Sequence, residues 1–238
     1  MDDLAGLAPT LNPTAARPLL GMTILVVEDS LYACDAMRLM CLYSGARIRR
    51  ADCLRSARRH LQVYRPSAVV IDVGLPDGSG VELIRELANA RPRVTSILAT
   101  SGEDTARAAA LGAGADGFLP KPVLNFGAFQ QAVLATLPED RHPSGPRVIR
   151  DELISPDPMA YRDDMIHVSN LLDAAPDKRA VGYLAQFIGG VARSAEDAQL
   201  AAAATELSEA DSDGSGLDTR LARVAGLVQE RLNDRAVM

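Results

Sequence analysis

The sequence predicts an α/β fold: a five-stranded, doubly wound parallel sheet of order 2-1-3-4-5, followed by a C-terminal all-α region. Three observations carry this. Between residues 22 and 138, short apolar runs alternate with helical stripes five times, and such alternation implies parallel strands with helices on both faces. Two of the runs are apolar throughout, as strands covered on both sides must be. From residue 157 onward, every apolar pattern has helical spacing.

Residues 1–21 are rich in Ala, Pro, Leu and Thr without a sustained period, and read as a flexible tail. Thr23-Ile24-Leu25-Val26-Val27 is the first buried strand. Ser30 is placed to cap a helix reaching Tyr43, on which Ala33, Met37 and Met40 share a face. Ala46–Ala51 is more polar and suits a sheet edge. Leu54, Ala57 and Leu61 mark the next helix, and Ser67–Ile71 the next buried strand. Val81, Ile84 and Leu87 give a third helix. Ser96–Ala99 is a strand, followed by a short Ala-rich helix near 104–111. Gly117–Leu119 is the last strand, and Phe126, Phe129, Val133 and Leu137 the last helix of this unit.

Residues 139–156 are proline-rich and poor in apolar side chains, which suits a linker. Residues 157–238 read as a helical module for interaction or dimerisation. Asp157-Pro158 is a cap followed by a first-turn proline. Tyr161, Met165, Val168 and Leu172 then form one stripe, and Ala180, Leu184, Phe187, Ile188 and Val191 a second. Ser194 with Asp197 resembles a capping box before an Ala-rich helix. Ser208–Gly216 is acidic and Gly/Ser-rich, as a flexible loop would be. Leu217, Leu221, Val224 and Val228 form the last stripe.

Composition narrows the function. The chain has 238 residues, 47% of them hydrophobic, enough for one or two cored domains. No run of 18 apolar residues occurs, so a membrane span is not expected. Met1-Asp2-Asp3 lacks a basic segment ahead of an apolar one, so no secretory signal is expected. Cys34, Cys41 and Cys53 are too few for a disulfide framework, and a cytoplasmic setting follows as the expectation. The net charge is −6. From residue 141 onward there are 11 Lys+Arg and 16 Asp+Glu, or 11 − 16 = −5. That balance, and the lack of a basic recognition helix, argue against DNA as a partner.

The chemistry gathers at the strand ends, where sheets of this kind place their sites. The first strand ends in Glu28-Asp29, the third in Asp72, the fourth in Thr100-Ser101-Gly102, and the fifth runs into Lys121-Pro122. Taken singly, each has an ordinary reading: a solvated helix start, a turn residue, a loop. In a 2-1-3-4-5 sheet they converge. Three carboxylates in one crevice repel and raise each other's pKa. A divalent cation relieves this, and an oxygen-only donor set suits Mg²⁺ better than zinc. A lysine ammonium and a hydroxyl on the other side complete a site built to hold a phosphoryl group. The deepest carboxylate can then act as nucleophile and form an acyl phosphate.

Three motifs, in order and correctly spaced, carry a resemblance: Ile24-Leu25-Val26-Val27-Glu28-Asp29-Ser30, Val69-Val70-Ile71-Asp72-Val73-Gly74-Leu75-Pro76-Asp77-Gly78-Ser79-Gly80, and Gly114-Ala115-Asp116-Gly117-Phe118-Leu119-Pro120-Lys121-Pro122. Residues 22–138 resemble the flavodoxin-like receiver domain of bacterial two-component response regulators. The resemblance implies that Asp72 accepts phosphate from a histidine kinase or phosphotransfer protein. It implies Mg²⁺ on Glu28, Asp29, Asp72 and the Gly74 carbonyl. It implies that Lys121 contacts the phosphoryl group, that the bond to Pro122 is cis, and that Phe118 is the switch aromatic. It also implies autophosphorylation and autodephosphorylation, in a phosphoacceptor switch rather than an enzyme acting on other molecules. The switch hydroxyl is assigned to Ser101, which a small residue follows, with adjacent Thr100 in reserve. The segment from Ser101 to Lys121 is shorter than the family's usual one, which bears on the output face.

Three readings of the C-terminal half stay open. One is a surface for an unidentified downstream protein, or for a second copy that completes a four-helix arrangement. A second is a DNA-binding output, as in many multidomain members of the family. The third is a phosphotransfer module using His167, although the surrounding residues do not match the His-x-x-Lys-Gly pattern. The arginines at 47, 49, 50, 55, 58, 59 and 65 read as a solvated edge strand and outer helix face rather than a docking patch.

Overall fold

The computed structural model describes residues 12–103, 105–174, 176–213 and 216–234. Five parallel strands form the sheet: β1 (Thr23–Val27), β2 (Arg47–Ala51), β3 (Ala68–Asp72), β6 (Ser96–Ser101) and β7 (Gly117–Pro120). Their order is β2-β1-β3-β6-β7, the 2-1-3-4-5 order of the five main strands. A hairpin of two-residue strands, β4 (Gly74–Leu75) and β5 (Gly78–Ser79), lies between β3 and the next helix. Strand β3 and residues 24–27 of β1 are wholly buried, whereas β2 is largely exposed. The arginines of β2 therefore lie on an open edge, where charge discourages pairing with another chain.

Helices α1 (Leu31–Tyr43) and α5 (Phe126–Ala135) cover one face; α2 (Leu54–Val63), α3 (Gly80–Asn89) and α4 (Ala106–Gly112) cover the other. The strands alternate to serve both. Ile24, Val26 and Val70 pack under α1 and α5 with Met37, Phe129 and Val133, while Leu25, Val27 and Ile71 pack under α2 and α3 with Leu54, Leu83 and Ile84. Burying each such side chain contributes roughly 1.5–3 kcal/mol. The same alternation sends Glu28 and Asp72, one residue past Val27 and Ile71, out at the carboxyl edge.

Caps fix the helix starts. Ser30 Oγ accepts the Ala33 N–H at 3.0 Å, and Asn125 Oδ1 accepts the Ala128 N–H at 2.8 Å. Asp77, from the loop after β3, caps α2 from a distance by accepting the Leu54 and Arg55 N–H groups at 2.8 and 3.0 Å.

Two stretches differ from the sequence expectation. The tail reading for residues 1–11 lies outside the described residues, but residues 12–21 pack on the domain. Leu19 is fully buried against the α1 core, and its N–H donates to the Ser44 carbonyl at 2.9 Å. The linker is also anchored. The Ile154 N–H donates to the Leu124 carbonyl, the Phe126 N–H to the Glu152 carbonyl, and Ile154 enters the α5 core. A single buried anchor among prolines, charges and exposed side chains gives no periodic signal, so neither attachment leaves a pattern in the sequence.

The remaining helices are α6 (Pro158–Asp173), α7 (Lys178–Ser194), α8 (Ala198–Asp213) and α9 (Leu217–Asn233). They form a four-helix bundle within a single chain, with a core of Met165, Val168, Leu184, Ile188, Leu200, Leu207, Val224 and Val228. The three expected stripes bury one another, and a second copy is not needed to cover them. The cap of α8 is Asp197, whose Oδ1 accepts the Leu200 N–H at 3.0 Å. Ser194 does not share in it; it ends α7 and bonds back to the Gly190 carbonyl. Most of the segment read as a loop at Ser208–Gly216 is helical instead, up to Asp213; residues 214 and 215 lie outside the described residues. Leu207, fully buried one turn beyond Ala203 and Ala204, carries the helix into its polar end. No described helix is long and apolar enough to cross a membrane.

Candidate functional site

The strand ends bring the expected side chains together. Glu28 is fully buried and Asp72 is 5% exposed. Ligand atoms of Glu28, Asp29 and Asp72 all lie within 4.8 Å of one another. Lys121 enters from the end of β7 and donates to Glu28 Oε1 at 2.9 Å and Asp72 Oδ2 at 2.7 Å. The Gly74 N–H donates to Asp72 Oδ1 at 3.2 Å. The Lys121–Pro122 peptide is cis.

Burial and mutual repulsion dominate the electrostatics. Desolvation raises the Glu28 carboxyl to about 8, with Lys121 opposing and the two aspartates adding to the rise. Asp29 is pushed up to about 6, mainly by desolvation and then by Asp72, against Lys121 and a hydrogen bond from Tyr183. Burial alone would lower the Lys121 pKa; Asp72, Glu28 and Asp29 overcome it and hold the ammonium charged.

The donor set fits a hard divalent cation. All three side chains offer oxygen, and Glu28 Oε2 is buried, 2.8 Å from the Lys121 ammonium, yet completes no hydrogen bond. One ammonium among three carboxylates leaves negative charge that Mg²⁺ would neutralise.

The other predicted residues lie around this centre. Gly74 lines the cavity. Ser101 is 2% exposed, and its Oγ accepts the Glu103 N–H at 3.1 Å. Thr100, the register partner of Asp72, is fully buried, with no partner for its hydroxyl among the described residues. Phe118 packs against the α3–α4 core, with the Arg107 guanidinium 5.8 Å from its ring centroid. His167 does not line the cavity. It is exposed on α6, its ring 5.4 Å from that of Phe187.

The bundle closes over the site, which sequence reasoning did not foresee. Helix α7 lies across the mouth of the crevice. The Tyr183 hydroxyl donates to Asp29 Oδ2 at 2.6 Å. One turn on, the Gln186 carboxamide sits against Gly74, where a Cβ would lie 2.4 Å from its atoms. Two turns further, Arg193 Nη2 occupies the equivalent space at Gly102. Spacings of three, seven and ten residues put 183, 186, 190 and 193 on one helix face. A cavity of about 220 Å³ remains between that face and Asp29, Asp72 and Lys121.

A second contact comes from α6. Asp164 is 1% exposed and accepts from Ser30 Oγ at 2.8 Å, from the Leu31 N–H at 2.8 Å and from the Tyr32 N–H at 3.1 Å. It satisfies first-turn donors of α1 that have no partner within the helix. Burial raises its carboxyl above the ordinary value, against the pull of those three donors. The signal was available: Asp164 stands beside Met165 in a buried stripe, and Gly182, Gly189 and Gly190 thin one face of α7.

A family profile for the response regulator receiver domain matches residues 24–133. The Escherichia coli KDP operon transcriptional regulatory protein KdpE is 33% identical over 99 residues, 42% of this chain and 44% of that protein. A probable transcriptional regulatory protein, TcrX, from Mycobacterium tuberculosis is 33% identical over 102 residues, again 42% and 44%. The chain thus spans less than half the length of these relatives. Among solved structures, a putative response regulator from Chloroflexus aurantiacus is 29% identical over 42% of this chain and 85% of its own, with a TM-score of 0.40. A chemotaxis response regulator of Vibrio cholerae is 23% identical over 49% and 98%, with a TM-score of 0.46. Residues 24–133 are a receiver domain of the response regulator family.

Proposed function

We propose that the chain is a phosphorylation-controlled switch in which Asp72 is the phosphoacceptor and the docked bundle is the element it controls. The observation that carries this reading is the seating of α6 and α7 on the site itself, through Asp164 on the start of α1 and Tyr183 on Asp29. An Asp72 carboxylate oxygen attacks the phosphorus of a phosphohistidine in a kinase or phosphotransfer protein; the donor's N–P bond breaks and an acyl phosphate forms. A small phosphodonor substitutes for that histidine, so the receiver needs no second enzyme to label itself. Lys121 holds the carboxylate and then a phosphoryl oxygen. Glu28, Asp29, Asp72 and the Gly74 carbonyl would hold Mg²⁺, which supplies further positive charge to the transferring group. Ser101 provides the hydroxyl and Phe118 follows it. Three unpaired thiols fit a cytoplasmic setting.

Incubation with Mg²⁺ and a small acyl phosphate should add one acid-stable, base-labile phosphate, and Asp72→Asn should abolish it. Equal labelling of that variant would remove Asp72 from the role. Labelling with Ser101→Ala and Thr100→Val separates the two hydroxyls, with Ser101→Ala expected to show the greater loss.

A DNA-directed output is the second reading, favoured by relatives named as transcriptional regulators. Salt-sensitive binding of the phosphorylated full chain to specific duplex DNA would support it. The acidic balance from residue 141 onward favours a protein surface as the output.

A further inference from the structure

The face that α7 turns toward the crevice carries a side chain whose polar end makes no hydrogen bond among the described residues. Tyr183 is spent on Asp29. Gln186 is partly buried over Gly74, and its carboxamide has no hydrogen-bond partner among the described residues. Gly74 is itself tied to the reactive carboxylate through its N–H on Asp72 Oδ1, at 3.2 Å. The space between is a cavity of about 220 Å³ lined by Asp72, Lys121 and Gln186. A water occupies about 30 Å³ in the liquid, so a phosphoryl group and several waters fit.

We propose that Gln186 is a water-positioning residue: the docked bundle holds its carboxamide over Asp72 to orient a water for attack on the Asp72 acyl phosphate, so that α7 hastens loss of the signal. This rests on the reading of Asp72 as phosphoacceptor.

Phosphoryl transfer proceeds with attacking and leaving oxygens roughly in line. The leaving oxygen belongs to Asp72, at the floor of the crevice. The water must therefore approach from the mouth, where α7 lies. A carboxamide suits that position because its carbonyl accepts a hydrogen bond from the water while its NH₂ donates one to a phosphoryl oxygen. The water oxygen bonds to phosphorus, and the bond from phosphorus to the Asp72 oxygen breaks. That electron pair returns to the carboxylate, which Lys121 receives. One water proton stays on the attacking oxygen and the other passes to a phosphoryl oxygen, so an acyl phosphate and water become a carboxylate and dihydrogen phosphate. Arg193, two turns beyond Gln186, places its guanidinium at Gly102 with no ion-pair partner among the described residues, as a counter-charge to the group being released.

The test is the lifetime of phosphate on the full chain after removal of a small acyl phosphate donor, in Mg²⁺. Hydrogen exchange of the Leu31 and Tyr32 amides, which Asp164 covers, reports docking in the same samples. Gln186→Met keeps the length and removes the amide, and should slow phosphate loss by about tenfold or more while the two amides stay as protected as in phosphorylated wild type. Gln186→Glu loses the NH₂ donor and should be slow too. Gln186→Asn keeps the amide on a shorter stem and should fall between. Should the Met variant lose protection, the Glu variant decides by the same criterion. A protected variant that loses phosphate as fast as wild type, or faster, overturns the inference. Wild-type protein that takes no phosphate at all overturns the Asp72 reading instead.

Discussion

At the scale of residues, Asp29 serves two masters. Its Oδ2 accepts the Tyr183 hydroxyl, and the same carboxylate belongs to the group suited to a cation. Its raised pKa gives a signed expectation. A carboxyl titrating at about 6, above the ordinary 3.8, favours the fold while protonated. That contribution is complete below the unfolded value and is lost as the pH rises through about 6. Mg²⁺ must displace the proton, so its binding strengthens over the same interval. The Mg²⁺-induced rise in melting temperature should therefore be larger at pH 8 than at pH 5, and Asp29→Ala should remove most of it. An equal rise at both pH values would place the metal elsewhere. Asp164 works on the other contact. Replacing it with alanine strands the Leu31 and Tyr32 N–H groups and removes a charged cap, a loss of about 2 kcal/mol. Asp164→Ala should expose those two amides to exchange and lower the urea midpoint; retained protection would mean that another group caps α1.

At the scale of elements, glycine marks where backbone meets backbone. A Cβ at Gly80, the first residue of α3, would lie 2.0 Å from the Asp72 carbonyl oxygen. Neither main chain can yield without moving the end of β3. Gly80→Ala should cost about 3 kcal/mol and depress labelling of Asp72, although it touches no reactive atom. Gly226 is the opposite case. It lies within α9, and a methyl group added there would meet nothing within 4 Å. Gly226→Ala should stabilise the bundle by up to about 1 kcal/mol through helix propensity alone; a lower denaturation midpoint would contradict that. The five main strands and their order were legible because each leaves a short periodic mark: continuous apolar runs for β1 and β3, a polar run for β2. The end of α8 was not. Ser208 to Asp213 looks like a loop by composition, and only the burial of Leu207 in the bundle core explains a helix there. Ser194 and Asp197 misled for a related reason. Both are good cap residues, and spacing alone does not say which ends one helix and which begins the next.

At the scale of the whole molecule, four corners of the site could be read from the chain because each stands at a strand end: Glu28, Asp29, Asp72 and Lys121. Tyr183 and Gln186 could not, because they reach the site through a docking contact between separately cored units, and such contacts have no period; Asp164 left one sign, a carboxylate beside Met165 in a buried stripe. That docking changes what the site can do. Asp72 is 5% exposed, beneath a helix that a partner's histidine would have to displace. The bundle should therefore restrain phosphorylation as well as hasten its loss. Cutting the chain after Pro156 tests both. That boundary keeps the Glu152 and Ile154 backbone bonds and the buried Ile154 side chain, which an end at residue 138 would forfeit. It removes Asp164, Tyr183 and Gln186 together. Residues 1–156 should label from a small acyl phosphate several-fold faster than the full chain and hold the phosphate longer. In the full chain, labelling should loosen the Leu31 and Tyr32 amides without freeing them, since a phosphoryl group and a bound cation both compete with Tyr183 for the space around Asp29, and the fraction still docked is the one that loses phosphate through Gln186. If the truncated receiver labels no faster and the amides of the labelled full chain stay protected, the bundle is a fixed neighbour of the site and not its gate.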